Sequence, residues 1–589
     1  MRLVLDFETY FDDDYSLDKL HTLEYVRDER FKVHGAAVKA ADQATEWIPE
    51  GALGSYLEAL PDNVELICHN TYFDGLILFE RYGWVPQRYA DTLSMARALF
   101  IHAPELNLDY LCSLLRIGAK LPEVLNLTKG LRTLPAEIAL RLGEYAINDV
   151  DLTYELYNRL RPGLPDDELA LIDLTIRWAA RPTLQVDLVR ILRAYRTVLR
   201  SRRTRIKASG TTLQVLSSQQ QFRNYLENLG IEIPYKLNPK GKSIPALAKN
   251  DLGFRQMMAD YPEHAAVFAG RLAAKSTLEV TRIRRIYKIG SRGTLPMPLK
   301  YYGAHTGRWS GTDGLNPQNF TRESELRKSI IAPPGWVILV SDQKQIEARL
   351  NMWFCDEHEW LAIFAAGKDI YRATAAAHFS ITYEDVDKAQ RFFGKTLELG
   401  LGYGMGWRKF RVQSALKEIY LTEEEAYRAV ATYRQTHHLI REMQRFLTLS
   451  LYAMFQKDCN VKVGPVTLVH EGILLPNSMR LDYSGLTPTE DGDWFYGLNG
   501  KRKKIYGGSM LENIIQALAR IVIGDHLLAI EAAGITTVSS THDEILALVR
   551  EADADAAVET VRDLMIVPPD WAPELPLAVD IGYAKEYSK

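Results

Sequence analysis

STHDEILALV, Ser540 to Val549, sets His542, Asp543 and Glu544 side by side in a β-prone apolar run. Val538 on one side and Ile545 to Val549 on the other are short strand-like flanks, which reads as two strands joined at the polar triplet. A carboxylate buried there costs several kcal/mol unless it is paired or binds a metal. A charged surface turn is the plainer alternative. A second carboxylate on another strand end decides between them, and PGWVILVSDQKQIEARL (334–350) supplies one. Val337 to Val340 is a buried-strand run closed by Asp342, and Gln345 to Leu350 opens a helix. Asp342 and Asp543 are therefore expected to be strand-end aspartates that meet across one sheet.

The chain of 589 residues is long enough for several domains, each with its own core. A hydrophobic content of 47% and a charged content of 25% are ordinary for a globular protein. No uninterrupted apolar run approaches the roughly 20 residues of a membrane helix, and Met1 leads into a strand rather than a signal peptide. A cytoplasmic location without membrane attachment is expected. Cys68, Cys112, Cys355 and Cys459 are scattered, with no C-x-x-C pair, and read as reduced core residues. The net charge of −4 hides an asymmetry. Arg190, Arg193, Arg196, Arg200, Arg202, Arg203, Arg205 and Lys207 follow one another without an acidic residue, and Arg271, Lys275, Arg282, Arg284, Arg285 and Lys288 form a second cluster. Clusters of one sign repel unless a polyanion lies nearby.

Carboxylates also gather at the front of the chain. In MRLVLDFETYFD, strand alternation puts Asp6 and Glu8 on one face, about 7 Å apart. HNTYFDGLILF offers Asn70 and Asp74, and a helix through EYAINDVDL sets Tyr145 and Asp149 four residues apart on one side. The ordered set D-x-E, N-x-x-x-D, Y-x-x-x-D resembles the proofreading 3′–5′ exonucleases of the DEDDy type, whose fold is ribonuclease-H-like. The resemblance implies that Asp6, Glu8, Asp74 and Asp149 hold two divalent ions, Mg²⁺ or Mn²⁺, and that Tyr145 orients the attacking water. Hard cations want oxygen ligands, which agrees with carboxylates here rather than His or Cys.

SDQKQIEARL and THDEILAL in turn resemble motifs A and C of family A (polymerase I-like) DNA polymerases, and KAQRFFGKTLELGLGYGMG resembles motif B. Arg391, Lys395, Leu399 and Tyr403 recur every four residues along one broad helix face over about 18 Å, roughly the reach of a nucleoside triphosphate from terminal phosphate to base. By resemblance, Asp342 and Asp543 hold two Mg²⁺ ions, Lys395 neutralises the α-phosphate and Arg391 grips the γ-phosphate. Tyr403 lies under a base, and Glu347 is the steric gate against ribonucleotides. Two positions depart from the family: Leu399 stands where an aromatic is usual, and Tyr371 in DIYRATAAAHF where His is usual. Glu544 either assists the metals or shapes the turn.

HTGRWSG resembles the family's T-G-R motif, which implies a minor-groove contact for Arg308, and by the same resemblance Gln516 and His542 approach the groove and the primer terminus. The basic helices, with Arg202, Arg203 and Lys275, correspond to a thumb gripping phosphates, a grip that weakens as salt rises. The fold class expected is α/β and α+β multidomain. A ribonuclease-H-like exonuclease (1–162) precedes a thumb (163–299, tip near LNPKGKS), a first palm segment (300–360), fingers (361–440) and a second palm segment (441–589). No 5′-nuclease domain is expected before Met1, nor in the thumb the large inserted loop of some phage relatives. The layout resembles bacteriophage replicative polymerases, implying a monomer that acts on primer–template DNA and dNTPs, with a helicase or single-strand-binding protein as a further partner. A single-subunit RNA polymerase, a repair nuclease with a degenerate polymerase half, and a non-catalytic replication scaffold are the rival readings. Glu347, the complete Asp342, Lys395 and Asp543 set, and the retained metal ligands respectively disfavour them.

Overall fold

The computed structural model describes every residue except Asp42, Pro122, Glu123, Pro239, Lys240, Asn499 and Lys589. Pro239 and Lys240 of the expected thumb tip thus lie outside the described residues. The chain divides into two units, one of residues 1–186, 289–350 and 446–589, the other of 187–288 and 351–445.

In the first unit, Arg2–Thr9 is the central strand of a five-stranded sheet. It pairs antiparallel with Val33–Ala40, which carries Glu46–Pro49 at the edge, and parallel with Glu65–Cys68, which pairs parallel with Arg88–Asp91. Leu3, Leu5 and Phe7 are buried, the alternation that the LVLDFE run dictates. The 25-residue helix Ala136–Leu160 packs across the central strands and presents Tyr145 and Asp149 from its buried side. This order, with three antiparallel strands followed by two parallel ones, is the expected ribonuclease-H-like arrangement.

A second sheet in the same unit is antiparallel, in the order Thr536–Thr541, Glu544–Arg550, Trp336–Gln343, Val579–Ala584. The helices Gly507–Ala532 and Ala554–Met565 pack against the sheet and against each other, and both meet the Gln343 side chain. By length and composition Gly507–Ala532 could cross a membrane, yet it is mostly buried as a core helix. The sequence shows no uninterrupted run there because Glu512, Arg520 and Asp525 break it. Arg520 is only 4% exposed, and its guanidinium is bonded to both oxygens of the buried Glu168, which also accept from Tyr301 and Asn477. This interior ion pair fastens Asp166–Ala180 into the first unit, although the expected boundaries give that helix to the thumb.

The second unit holds two groups of helices. Leu188–Ala208 packs on Ala265–Lys275 beside a core that includes Phe222, Phe254 and Phe268. Ile370–Phe379, Lys388–Leu401 and Glu423–Thr436 form the other group, around Phe393, Phe410 and Tyr433. Gly394 lets the first two of those helices touch, since a Cβ there would sit 2.0 Å from the carbonyl oxygen of Tyr371. No disulfide links the four cysteines.

Candidate active sites

The polar triplet of the opening stretch resolves into a two-residue turn. Thr541 pairs with Glu544 across the hairpin, leaving His542 and Asp543 as the loop. His542 takes a left-handed backbone, φ 56°, as hairpin turns of this length require of one central residue. A non-glycine residue held there stores about 1–3 kcal/mol of strain, which the surrounding sheet must hold. On the neighbouring strand Asp342 stands opposite Glu544, and the Gln343 amide donates to the carbonyl of Asp543 at 2.9 Å. The two strand-end aspartates therefore meet as the sequence implies. Gln345, also left-handed at φ 54°, swings the chain into Ile346–Phe354 and sets Glu347 in its first turn.

These residues open into a cavity of about 370 Å³ lined by Arg308, Arg322, Asp342, Glu347, His542 and Asp543. Burial pushes the Asp543 carboxyl up to about 7. Arg308 opposes that shift, and the charges of Glu347 and Asp342 add to it. Arginines balance the other acids: Arg308 pairs with Glu347 and Arg322 with Asp342. The cationic partners are themselves a sign that the site wants positive charge. Gln516 donates to Glu512 at 3.2 Å and accepts from Thr306 at 3.3 Å, which ties it to the loop bearing Arg308.

Glu544 and Arg327 line the same cavity, but the Glu544 carboxylate is already engaged by the protein's own groups. Glu544 is 3% exposed, and its carboxylate takes both oxygens to Arg327 Nη2 at 3.0 and 2.9 Å and accepts from Tyr587 Oη at 2.5 Å. The Arg327 guanidinium lies 3.7 Å from the centre of the Tyr587 ring. These contacts join the turn strand to Arg327 and Tyr587. Removing the cation from such a pair leaves a buried charge uncompensated. Arg327→Ala is thus expected to lower stability by about 3–5 kcal/mol in urea denaturation, with Tyr587→Phe losing far less. Equal, small losses in both variants would contradict this assignment.

The front carboxylates also converge. The Phe7 amide donates to Asp74 at 3.2 Å, tying Arg2–Thr9 to the helix Thr71–Ile77. Asp6, Glu8, Tyr145 and Asp149 line a cavity of about 320 Å³ whose other walls include Phe11, Tyr25 and Phe73. Burial, then the neighbouring Asp149 charge, pushes the Asp6 carboxyl up to about 7. Burial likewise raises Glu8 well above the usual range, with Asp6 and Asp149 adding to the shift, and raises Asp74 with the charge of Asp6. One oxygen of Asp149 is buried without a hydrogen-bond partner. The other lies 2.7 Å from Lys120 Nζ, which also donates to the Tyr145 hydroxyl at 2.9 Å. Lys120 has no motif around it, and sequence reading missed it.

Oxygen-only donors and protons held near neutrality suit hard divalent cations at both centres, and at the front one the orphaned Asp149 oxygen adds to this. Among the described residues no three acidic, His or Cys side chains wrap a single point. A cation entering either site must displace protons. Apparent affinity for Mn²⁺ is therefore expected to rise about tenfold per pH unit between about pH 6 and 7 and to level off above about 8. Calorimetric titration at three pH values checks this, and an affinity flat over the range would contradict it.

In the second unit Arg391 and Lys395 lie one turn apart on Lys388–Leu401, and both approach the ring of Tyr371, at 5.6 and 5.8 Å from its centroid. Arg391 is also paired with Asp369 at 2.5 Å. Tyr371, a departure from the family pattern, is thus the 7%-exposed platform between the two cations. Leu399 is exposed on the same helix. Tyr403 does not continue the row. The helix ends at Leu401, and Tyr403 falls in the following turn, where Gly402 and Gly404, the latter at φ 80°, break the helical repeat.

The basic helices are mixed. Arg203 and Lys275 are exposed, whereas Arg202 donates to the carbonyls of Ala273 and Ala274 at the end of Ala265–Lys275. Arg271 is buried over Phe222 and donates to the Leu216 carbonyl.

Comparison with known proteins matches residues 192–453 to the family described as DNA polymerase family A and residues 13–165 to a 3′–5′ exonuclease family. The chain thus carries a 3′–5′ exonuclease domain followed by a family A DNA polymerase domain. A DNA polymerase of Bacillus phage SP02 is 29% identical over 343 residues, covering 49% of this chain and 52% of the relative. DNA polymerase I of Chloroflexus aurantiacus is 38% identical over 117 residues, 19% of this chain and 12% of the relative. The chain thus spans about half the length of the phage relative and less of the bacterial ones. The POL domain of Pol1 from M. smegmatis, solved in complex with DNA primer–template and dNTP, has the same fold. Its TM-score is 0.68 at 19% identity, over all of this chain and 95% of that one. The family A match stops before Asp543 and the exonuclease match starts after Glu8, so the sheet geometry is what brings those carboxylates into the two sites.

Proposed function

We propose that this family A chain is a template-directed DNA polymerase that extends a primer 3′-hydroxyl with dNTPs and trims mispaired 3′ ends in its exonuclease domain. The observation that carries the reading is the meeting of Asp342 and Asp543 on adjacent strand ends, at the wall of one open cavity. Asp342 and Asp543 would hold two Mg²⁺ ions, and Asp6, Glu8, Asp74 and Asp149 two further divalent ions, Mg²⁺ or Mn²⁺. Bound there, the ions would supply a metal-lowered hydroxyl pKa and charge stabilisation at the phosphorus under attack.

The chain's own groups do the rest. Arg391 and Lys395 receive the triphosphate, the planar guanidinium of Arg391 suiting terminal phosphate oxygens. Glu347, held by Arg308, fills the space that a 2′-hydroxyl would need. Arg308, Gln516 and His542 test the minor groove, whose acceptors are common to all base pairs, so they sense pairing geometry and not sequence. Arg203 and Lys275 grip backbone phosphates. In the exonuclease domain Tyr145 orients the attacking water, and Phe11, Tyr25 and Phe73 offer faces against which a terminal base can stack.

The phage relative supports a role in phage genome replication, in the cytoplasm of an infected bacterium, by a monomer working beside a helicase or single-strand-binding protein. The test uses four templates that differ only in the first unpaired base, each offered every dNTP and rNTP singly with Mg²⁺. Incorporation of the complementary dNTP alone is expected. Addition that ignores the template, or trimming without extension, would contradict the reading.

A further inference from the structure

Neither active site uses the small sheet formed by Thr487–Pro488, Trp494–Leu498 and Lys501–Ile505. The last of these strands carries four cations in succession, Lys501, Arg502, Lys503 and Lys504, all exposed. Four like charges on one short strand repel, and Asp493, 2.5 Å from Lys504, is an exposed partner that offsets little of this. Strand pairing sets Phe495 opposite Lys504, and the Arg502 guanidinium lies 4.3 Å from the Phe495 ring centroid. The outer face therefore combines phosphate-binding cations with an aromatic–guanidinium stack.

The inner face fixes where this hairpin stands. Tyr496 is buried against His305 and Tyr483, with ring centroids 5.6 and 5.0 Å away. His305 donates to the Asp482 carbonyl at 2.6 Å, and it lies three residues before Arg308. The Asp482 carboxylate is held from the other side by His102 of the exonuclease domain, at 3.1 Å. The hairpin is thus rooted in the seam between the exonuclease domain and the loop bearing Arg308.

We infer that the outer face of this hairpin, Phe495, Arg502 and Lys504, binds single-stranded DNA: the unpaired 3′ end of a primer passing from the polymerase site to the exonuclease site. Charge complementarity selects a polyanion. The half-buried Phe495 ring and the exposed Arg502 guanidinium select unstacked bases over a duplex, which offers only its backbone. The inference rests on the polymerase–exonuclease reading above.

The experiment compares the full chain with Arg502→Ala/Lys504→Ala and, separately, with Phe495→Ala. Three rates are read for each: extension of a matched primer, trimming of a single-stranded oligonucleotide, and trimming of a primer with three terminal mismatches in a duplex. The third is expected to fall about tenfold in the double variant, as the loss of two phosphate contacts implies, while the first two stay within about twofold. In an Asp6→Ala background, which cannot degrade the probe, a 12-nucleotide oligonucleotide should bind more weakly and with a shallower salt dependence when the two cations are removed. Unchanged mismatch trimming and unchanged binding would overturn the inference and reassign the cations to an acidic protein partner. Equal loss of both trimming rates would overturn it in favour of a general substrate grip. A wild-type chain that neither extends nor trims would instead defeat the underlying reading.

Discussion

Asp543→Ala is expected to lose primer extension by at least about a thousandfold, the several kcal/mol of charge stabilisation that a bound cation supplies, while trimming of single-stranded DNA continues at the wild-type rate. The residue cannot be standing in for fold stability. Burial holds its carboxyl up to about 7, so in the metal-free protein an ionised Asp543 is a cost that the sheet carries. Alanine removes that cost, and the thermal midpoint should hold or rise. A loss of extension accompanied by a lowered midpoint would point to misfolding of the hairpin instead.

Asp6→Ala is the mirror image. It should abolish trimming to a similar degree, about a thousandfold or more, and leave extension intact. Asp6 shares its cavity with Glu8, Tyr145 and Asp149, and its own carboxyl is likewise held up to about 7 by burial and by Asp149. On a primer with a mismatched end the variant should stall or extend the mispair, where wild type trims and then extends. Stability should again be unharmed.

Both sites could be foreseen because their residues sit at places that sequence marks well. Asp6 and Glu8 alternate on a strand, Tyr145 and Asp149 share a helix face, and Asp342 and Asp543 end apolar runs. The partners of these groups could not. Arg327 reaches Glu544 across 217 positions, and Tyr587 lies 43 beyond it; nothing local to either announces the contact. Lys120 lies in a loop with no periodicity to place it. Their place in one-sign clusters made Arg202 and Arg271 look like surface cations, yet one spends its hydrogen bonds on helix-end carbonyls and the other is interior. A charge pattern cannot tell a solvated guanidinium from one that satisfies backbone. Tyr403 shows the limit of extrapolating a four-residue repeat, because the helix ends at Leu401 and Gly402 and Gly404 follow.

Glu544 shows what the fold adds to a motif. From sequence it was one of three adjacent polar groups with two roles open. Both Glu544 and Asp543 line the cavity, but Glu544 is engaged there by Arg327 and Tyr587. One peptide unit thus separates a group held by the protein's own cation from a group that waits for one.

The most direct measurement follows a 5′-labelled primer–template in Mg²⁺, with and without dNTPs, for wild type, Asp342→Ala, Asp6→Ala and the double variant. Two separate carboxylate centres require complementary results: extension lost only where Asp342 is replaced, trimming lost only where Asp6 is replaced, and both lost in the double variant. Single variants that each lose both activities, or a wild-type chain that trims but never extends, would contradict the account.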